Sequence, residues 1–176
     1  MKKVVSVLTV FTLGAGIALA GEMPEGWAPP KPSAELEKIK SLAGTWKGMN
    51  PEKSGEDKST TVTYKVTSGG SAVVETIDAG TSHEMVSMYH DKKGRLSMTH
   101  YCMLGNQPEL DLKNSVNGKI ELDMAPDSYA ALKDEMHMHS LALEWMPDGQ
   151  LKQTWTSWNP DGKPAELVVF KLQKTA

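Results

Sequence analysis

The amino-acid sequence predicts an all-β domain: an antiparallel up-and-down β-barrel of about ten strands, lipocalin-like, with a short N-terminal helix. Three observations carry this. From Gly44 onward the chain breaks into about ten short β-rich runs divided by Gly, Pro, Asn and Asp. No long helical period interrupts them, which favours a meander over βαβ units. Four of the dividing turns share one chemistry, and their common form allows the strand register to be argued.

Residues 1–20 read as a secretory signal: Lys2 and Lys3 supply the positive start, an apolar run follows, and Ala18-Leu19-Ala20 is a cleavage motif. The apolar run is short for a membrane span. Cleavage near Ala20 predicts a periplasmic or extracellular chain of 156 residues with no membrane span in the mature form. It removes two of the 19 basic residues and none of the 22 acidic ones, moving the balance from −3 to about −5. Nucleic-acid binding would need a basic excess and is excluded as an expectation. Cys102 is the single cysteine, so no intrachain disulfide forms, and a core must hold the domain.

Residues 21–32 form a Pro-rich arm, and residues 33–176 a single barrel domain. Ser33 is the expected N-cap of a short helix, with Glu35 and Glu37 at its positive end and Leu36, Ile39 and Leu42 on one face. Strands are expected near 44–50, 60–67, 71–78, 81–91, 95–104, 109–115, 119–124, 136–146, 150–159 and 163–173. The long connections, 53–59 and 125–135, read as surface loops or lids.

The turns Asp91-Lys92-Lys93-Gly94, Ser115-Val116-Asn117-Gly118, Met146-Pro147-Asp148-Gly149 and Asn159-Pro160-Asp161-Gly162 each place Gly where a type I turn closes into a left-handed bulge. Asp91 then pairs with Arg95, Ser115 with Lys119, Met146 with Gln150 and Asn159 with Lys163. Counting outward sets Leu112 opposite Leu122, Leu110 opposite Met124, Trp145 opposite Leu151, Leu141 opposite Trp155, and Trp155 opposite Leu167. One apolar face results. The same phase turns Val168, Phe170 and Leu172 outward, where the helix or a second copy in a homodimer would cover them.

Gly44-Thr45-Trp46, preceded by a short helix and followed by about ten antiparallel strands, resembles the calycin superfamily of lipocalins, fatty-acid-binding proteins and nitrobindin-like haem barrels. The chain looks most like bacterial secreted lipocalin-like proteins. The resemblance implies that Trp46 closes one end of the barrel and that a basic residue of the last strand packs across its ring. Lys171, which the hairpin count places inward opposite Leu151, is the matching candidate for that cation–π contact. Nitrobindin-like barrels continue the motif as Gly-x-Gly, whereas this chain has Gly48-Met49-Asn50, a departure from the haem-binding pattern.

Two pairs alternate on strand faces that also carry apolar residues: His100 with Cys102, beside Met98, and His137 with His139, beside Leu141 and Trp145. Register from Asp91 and Arg95 puts Met88 opposite Met98, Val86 opposite His100 and Glu84 opposite Cys102. Imidazole, thiol and thioether together suit a transition metal, with His100, His137 and His139 as candidate ligands. The same side chains near strand ends would equally hydrogen-bond to loops or water. Asn106 and Gln107, in the turn before Pro108, offer amide contacts at a cavity mouth or satisfy their own loop. The ten methionines of the mature chain are dispersed, as in a soft cavity lining or an ordinary core.

These residues predict a binding protein for a small lipophilic molecule, with His100, Cys102, Met98, His139, Leu141, Trp155, Asn106 and Gln107 as the candidate ligand contacts. No acid/base pair names a reaction, so a binding role is expected over an enzymatic one. No cofactor is predicted outright, and haem or a transition metal is the alternative cargo.

Overall fold

A computed structural model describes residue 28, residues 30–51 and residues 58–175. The described residues from Lys31 onward form one compact unit. The signal segment, most of the arm and most of the 53–59 connection lie outside the described residues.

The ten strands are β1 (Gly44–Met49), β2 (Ser59–Thr67), β3 (Ala72–Ile77), β4 (Met85–Lys92), β5 (Arg95–Tyr101), β6 (Glu109–Val116), β7 (Lys119–Met124), β8 (His137–Trp145), β9 (Leu151–Trp158) and β10 (Pro164–Lys174). Each pairs antiparallel with the next, and β1 pairs with β10, so the sheet closes into a barrel with no free edge. Among the described residues no helix is long and apolar enough to cross a membrane.

Helix α1 (Ala34–Lys40) lies at the end of the barrel where β1 begins. Ser33 caps it, its hydroxyl accepting from the Leu36 N–H at 3.0 Å. The Ser33 N–H and hydroxyl both donate to the Asp91 carboxylate at 2.6 Å, which ties the cap to β4. Leu36, Ile39 and Leu42 are buried, and Trp46 beside them donates its ring N–H to the Leu42 carbonyl at 2.8 Å. Burying three aliphatic side chains at about 1.5–3 kcal/mol each is enough to hold seven residues that would not stay helical alone.

The turns correct the expected register in three places. Lys93 and Gly94 have φ +52° and +77°, so β4 and β5 join through a two-residue primed turn and Lys92 pairs with Arg95. This shifts β4 by one residue: Ser87 faces His100 and Tyr89 faces Met98, while Val86 and Met88 turn outward. Asn117 and Gly118 make the same kind of turn, pairing Val116 with Lys119 in place of Ser115 with Lys119. A bulge between Leu112 and Asn114 then restores Leu112 opposite Leu122 and Leu110 opposite Met124.

The last strand is the third. Asn159 and Lys163 do exchange the expected turn bond, but a bulge between Pro164 and Leu167 sets Val168, not Leu167, opposite Trp155. Phe170 and Leu172 are therefore buried in the core and Leu167 is exposed. The same bulge turns Lys171 out to the exposed face, where it pairs with Lys152 and Met49. Lys174 takes the place expected of Lys171, with its Nζ 5.6 Å from the centroid of the Trp46 ring. The connection 125–135 is partly helical: α2 (Pro126–Leu132) starts with Pro at its first turn.

Candidate functional site

Beyond the end of β1, and away from α1, the barrel opens into a cavity of about 300 Å³. Ile77, Met85, Met138, Trp155, Val168 and Phe170 supply apolar wall, and His100, Cys102 and Met103 reach it from β5 and the loop that follows. This is the small end of the roughly 300–1,000 Å³ usual for ligand pockets. The walls arise from strand alternation: Met85, Ser87 and Tyr89 point inward from β4, Met98 and His100 from β5, and Cys102 continues that face just past its end.

A buried polar row runs toward this cavity across four strands. Tyr64, Glu75, Ser87 and His100 occupy directly opposed positions on β2, β3, β4 and β5, and all are at most 2 % exposed. Tyr64 donates to one Glu75 oxygen at 2.7 Å and Tyr89 to the other at 3.0 Å. Gln153 also donates to this carboxylate and to the Tyr64 oxygen, and the Ser87 hydroxyl faces the same carboxylate. Burial raises the Glu75 carboxyl above the ordinary range, and these hydrogen bonds oppose the rise. The neighbouring Tyr64 and Tyr89 hydroxyls are raised well above theirs by burial and by the Glu75 charge, so both remain protonated donors.

The orientation of Gln153 follows from its neighbours. The Trp155 ring N–H can only donate, and it lies 3.2 Å from Gln153 Oε1, so the Gln153 NH₂ faces Tyr64 and Glu75.

His100 is 1 % exposed, its ring against Trp155 with centroids 4.7 Å apart. Its Nδ1 lies 3.0 Å from Ser87 Oγ, and its Nε2 has no hydrogen-bond partner among the described residues. Burial pushes its pKa down to about 4, so the ring is neutral at pH 7. Cys102, just past β5, is mostly buried, and burial pushes its thiol pKa up, away from the thiolate a metal or nucleophile would need.

The other expected contacts divide. Trp155 lines the cavity with His100 and Cys102. Met98 and Leu141 are in the packed core beneath it. Asn106 donates to the Met136 carbonyl at 2.9 Å, fastening the loop after β5 to the segment before β8, and Gln107 donates to the Gly105 carbonyl at 2.9 Å. Both amides line a separate shallow surface pocket near Ser128.

His137 and His139 do not enter the cavity. A bulge between Met138 and Ser140 flips the phase of β8, so Met136 and Met138 line the interior while both imidazoles face outward beneath α2. His137 Nδ1 donates to the Glu135 carbonyl at 2.8 Å, so its Nε2 accepts from His139 Nδ1 at 3.2 Å. His139 stacks on Trp158 at 3.7 Å and 6°, and Tyr129 meets both imidazoles edge-on. Burial lowers the His139 pKa, against the pull of Asp123. Both rings are thus held by protein partners. Among the described residues no three His, Cys, Asp or Glu side chains converge on one point.

Tyr64, Glu75, Ser87, Tyr89 and Gln153 belong to no recognisable motif in the sequence. One signal was present: Val73, Glu75 and Ile77 share a strand face, so an acid stands where the pattern calls for an apolar side chain.

The fold and site define a closed ten-strand antiparallel barrel with a cavity at one end. No protein-family model matches this chain, and no curated protein matches it. The crystal structure of Rv2717c from M. tuberculosis is similar, with a TM-score of 0.52 and 12% identity over 83% of this chain and 100% of that one. At that identity the likeness is one of fold.

Proposed function

We propose that this protein binds a small, mainly apolar ligand in the cavity at the open end of a lipocalin-like barrel of the calycin kind. The observation that carries this reading is the cavity of about 300 Å³, with thioether and aromatic walls and a buried imidazole nitrogen left without a partner. A core residue serving packing alone would have that nitrogen satisfied, since a buried unpaired polar atom costs about 1–3 kcal/mol. The leader-like residues 1–20 support a periplasmic or secreted location, where a carrier of poorly soluble molecules is useful. Native mass spectrometry of protein recovered from its own compartment tests the reading: a co-purifying small molecule is expected. Empty protein that also fails to take up an apolar fluorophore would refute it.

A second reading gives His100 a bound metal or haem iron, and the unpartnered Nε2 favours it, because a neutral imidazole nitrogen is a metal ligand. His137 and His139 give it no support, since protein partners hold both rings. The cavity offers about ten waters' worth of space, closer to one or two rings than to a macrocycle. Adding haemin and recording the absorption spectrum tests this reading; a bound-haem band that survives in His100→Ala removes His100 from it.

A further inference from the structure

We propose that the ligand of this cavity is an organic monocation, with an ammonium-type head at the acidic side of the mouth and an apolar body of one or two rings. This inference rests on the apolar-ligand reading above and adds the charge of that ligand.

The cavity wall is two-sided. Its carboxylates belong to one arc of the barrel, which runs β10, β1, β2, β3: Glu166 stands on β10 and Asp78 just past β3, with Asn50, just past β1, between them. The thioethers come from the rest of the circle: Met85 from β4, Met103 from the loop after β5, and Met136 and Met138 from the segment that enters β8. Among the described residues no Lys or Arg lines the cavity. A bulge places one of the acids. Between Pro164 and Leu167 it sets Glu166 in the inward phase of Val168 and Phe170, and leaves Leu167 58 % exposed on the outside. Asp78 is 7 % exposed, and its Oδ1 accepts from the Thr60 hydroxyl at 3.1 Å and the Thr61 N–H at 2.9 Å.

This distribution selects among ligands by charge. The effect acts through space, so neither carboxylate has to touch the ligand: apolar walls of low dielectric let two negative charges be felt across so small a cavity. An anionic head group would meet like charges and no cation, so fatty-acid anions are disfavoured. An ammonium head is attracted to the same arc, and at the mouth, where Glu166 is exposed, it keeps part of its water. The opposite side suits a ring, because thioethers pack well against aromatic edges.

The test titrates three naphthalenes of nearly one shape into the purified protein at low salt and pH 8.0, above the range in which imidazoles ordinarily titrate. They are 2-(aminomethyl)naphthalene, a cation, 2-methoxynaphthalene, neutral, and 2-naphthoate, an anion. The amine should bind at least about fivefold tighter than the ether, and the naphthoate at least about tenfold weaker than the ether. The spread should narrow in about 0.5 M salt, which screens the exposed Glu166. Glu166→Gln should cut the ratio of amine to ether affinity severalfold, and Glu166→Lys should make the naphthoate bind tighter than the amine. Both changes fall at an exposed position outside the packed core, and the wild-type series stands independent of any variant's folding. Ether binding with no preference for the amine, or a preference that both Glu166 variants leave unchanged, would overturn the cation inference and leave the apolar-ligand reading intact. No binding by any probe would remove both.

Discussion

Glu75 is the costliest side chain in the barrel to bury and the one most completely answered by its neighbours. Removing a buried carboxylate strands the donors aimed at it. Glu75→Ala is expected to lose about 3 kcal/mol or more in urea unfolding, and Tyr89→Phe, which deletes one donor, about 1–2 kcal/mol. Equal, small effects from both would show that the row is not a cooperative network. His100 gives a second outcome, in pH. Its folded pKa of about 4 lies below its ordinary 6.5, so the unfolded chain binds the proton more readily and acidification through that window favours unfolding. The loss should accumulate from about pH 6.5 to pH 4 and reach about 3 kcal/mol. Glu75, raised by burial, works in the opposite sense, because its protonation favours the folded state. The difference between wild type and His100→Phe isolates the imidazole, and parallel stability–pH curves for the two would contradict its burial as a neutral ring. The row was half legible in sequence: His100 stood out as an imidazole on an apolar face, but its partners come from strands one and two places away in the barrel. Only the register joins them.

At the scale of elements, what separated the expected from the observed barrel was turn and bulge geometry. Strand positions followed from alternation and the Gly, Asn and Pro punctuation to within a residue or two at most ends, the start of β4 being the widest miss. Lys93-Gly94 and Asn117-Gly118 each allow a two-residue or a longer turn, and the two options differ by one residue of register, which flips a whole strand face. Three bulges then reset the phase of β6, β8 and β10; the last has Pro164 beside it, while those in β6 and β8 have no proline or glycine to mark them. That is why Lys171, His137 and His139, inward by simple alternation, lie outward. The seam between β1 and β10 gives a prediction at this scale. A Cβ at Gly48 would overlap the Lys171 carbonyl oxygen of the paired strand, an obstacle made of backbone that cannot rotate away. Gly48→Ala should therefore cost at least about 2 kcal/mol in chemical unfolding, near the upper part of the overpacking range. A neutral result would mean that the seam parts easily.

The barrel as a whole has two unlike ends, and stability and binding divide between them. The end closed by α1 is packed dry: Leu36, Ile39, Leu42 and Trp46 are all buried, and Ser33 anchors the helix to Asp91. The other end carries the cavity, with residues from the connections β3–β4, β5–β6 and β7–β8 around it. A cavity forfeits packing contacts that a filled core would have, so its walls contribute less to stability per side chain than the closed end does. Substitutions at the two ends should then act on different measurements. Ile39→Ala deletes a fully buried side chain and should lose about 2–5 kcal/mol in urea unfolding while the affinity for 2-methoxynaphthalene stays within about twofold. Val168→Trp places an indole into the cavity wall from β10 and should lower that affinity at least tenfold while unfolding shifts by less than about 1 kcal/mol. If instead Ile39→Ala weakens the probe as much as Val168→Trp does, the two ends are coupled, and the cavity depends on the helix that seals the far side of the barrel.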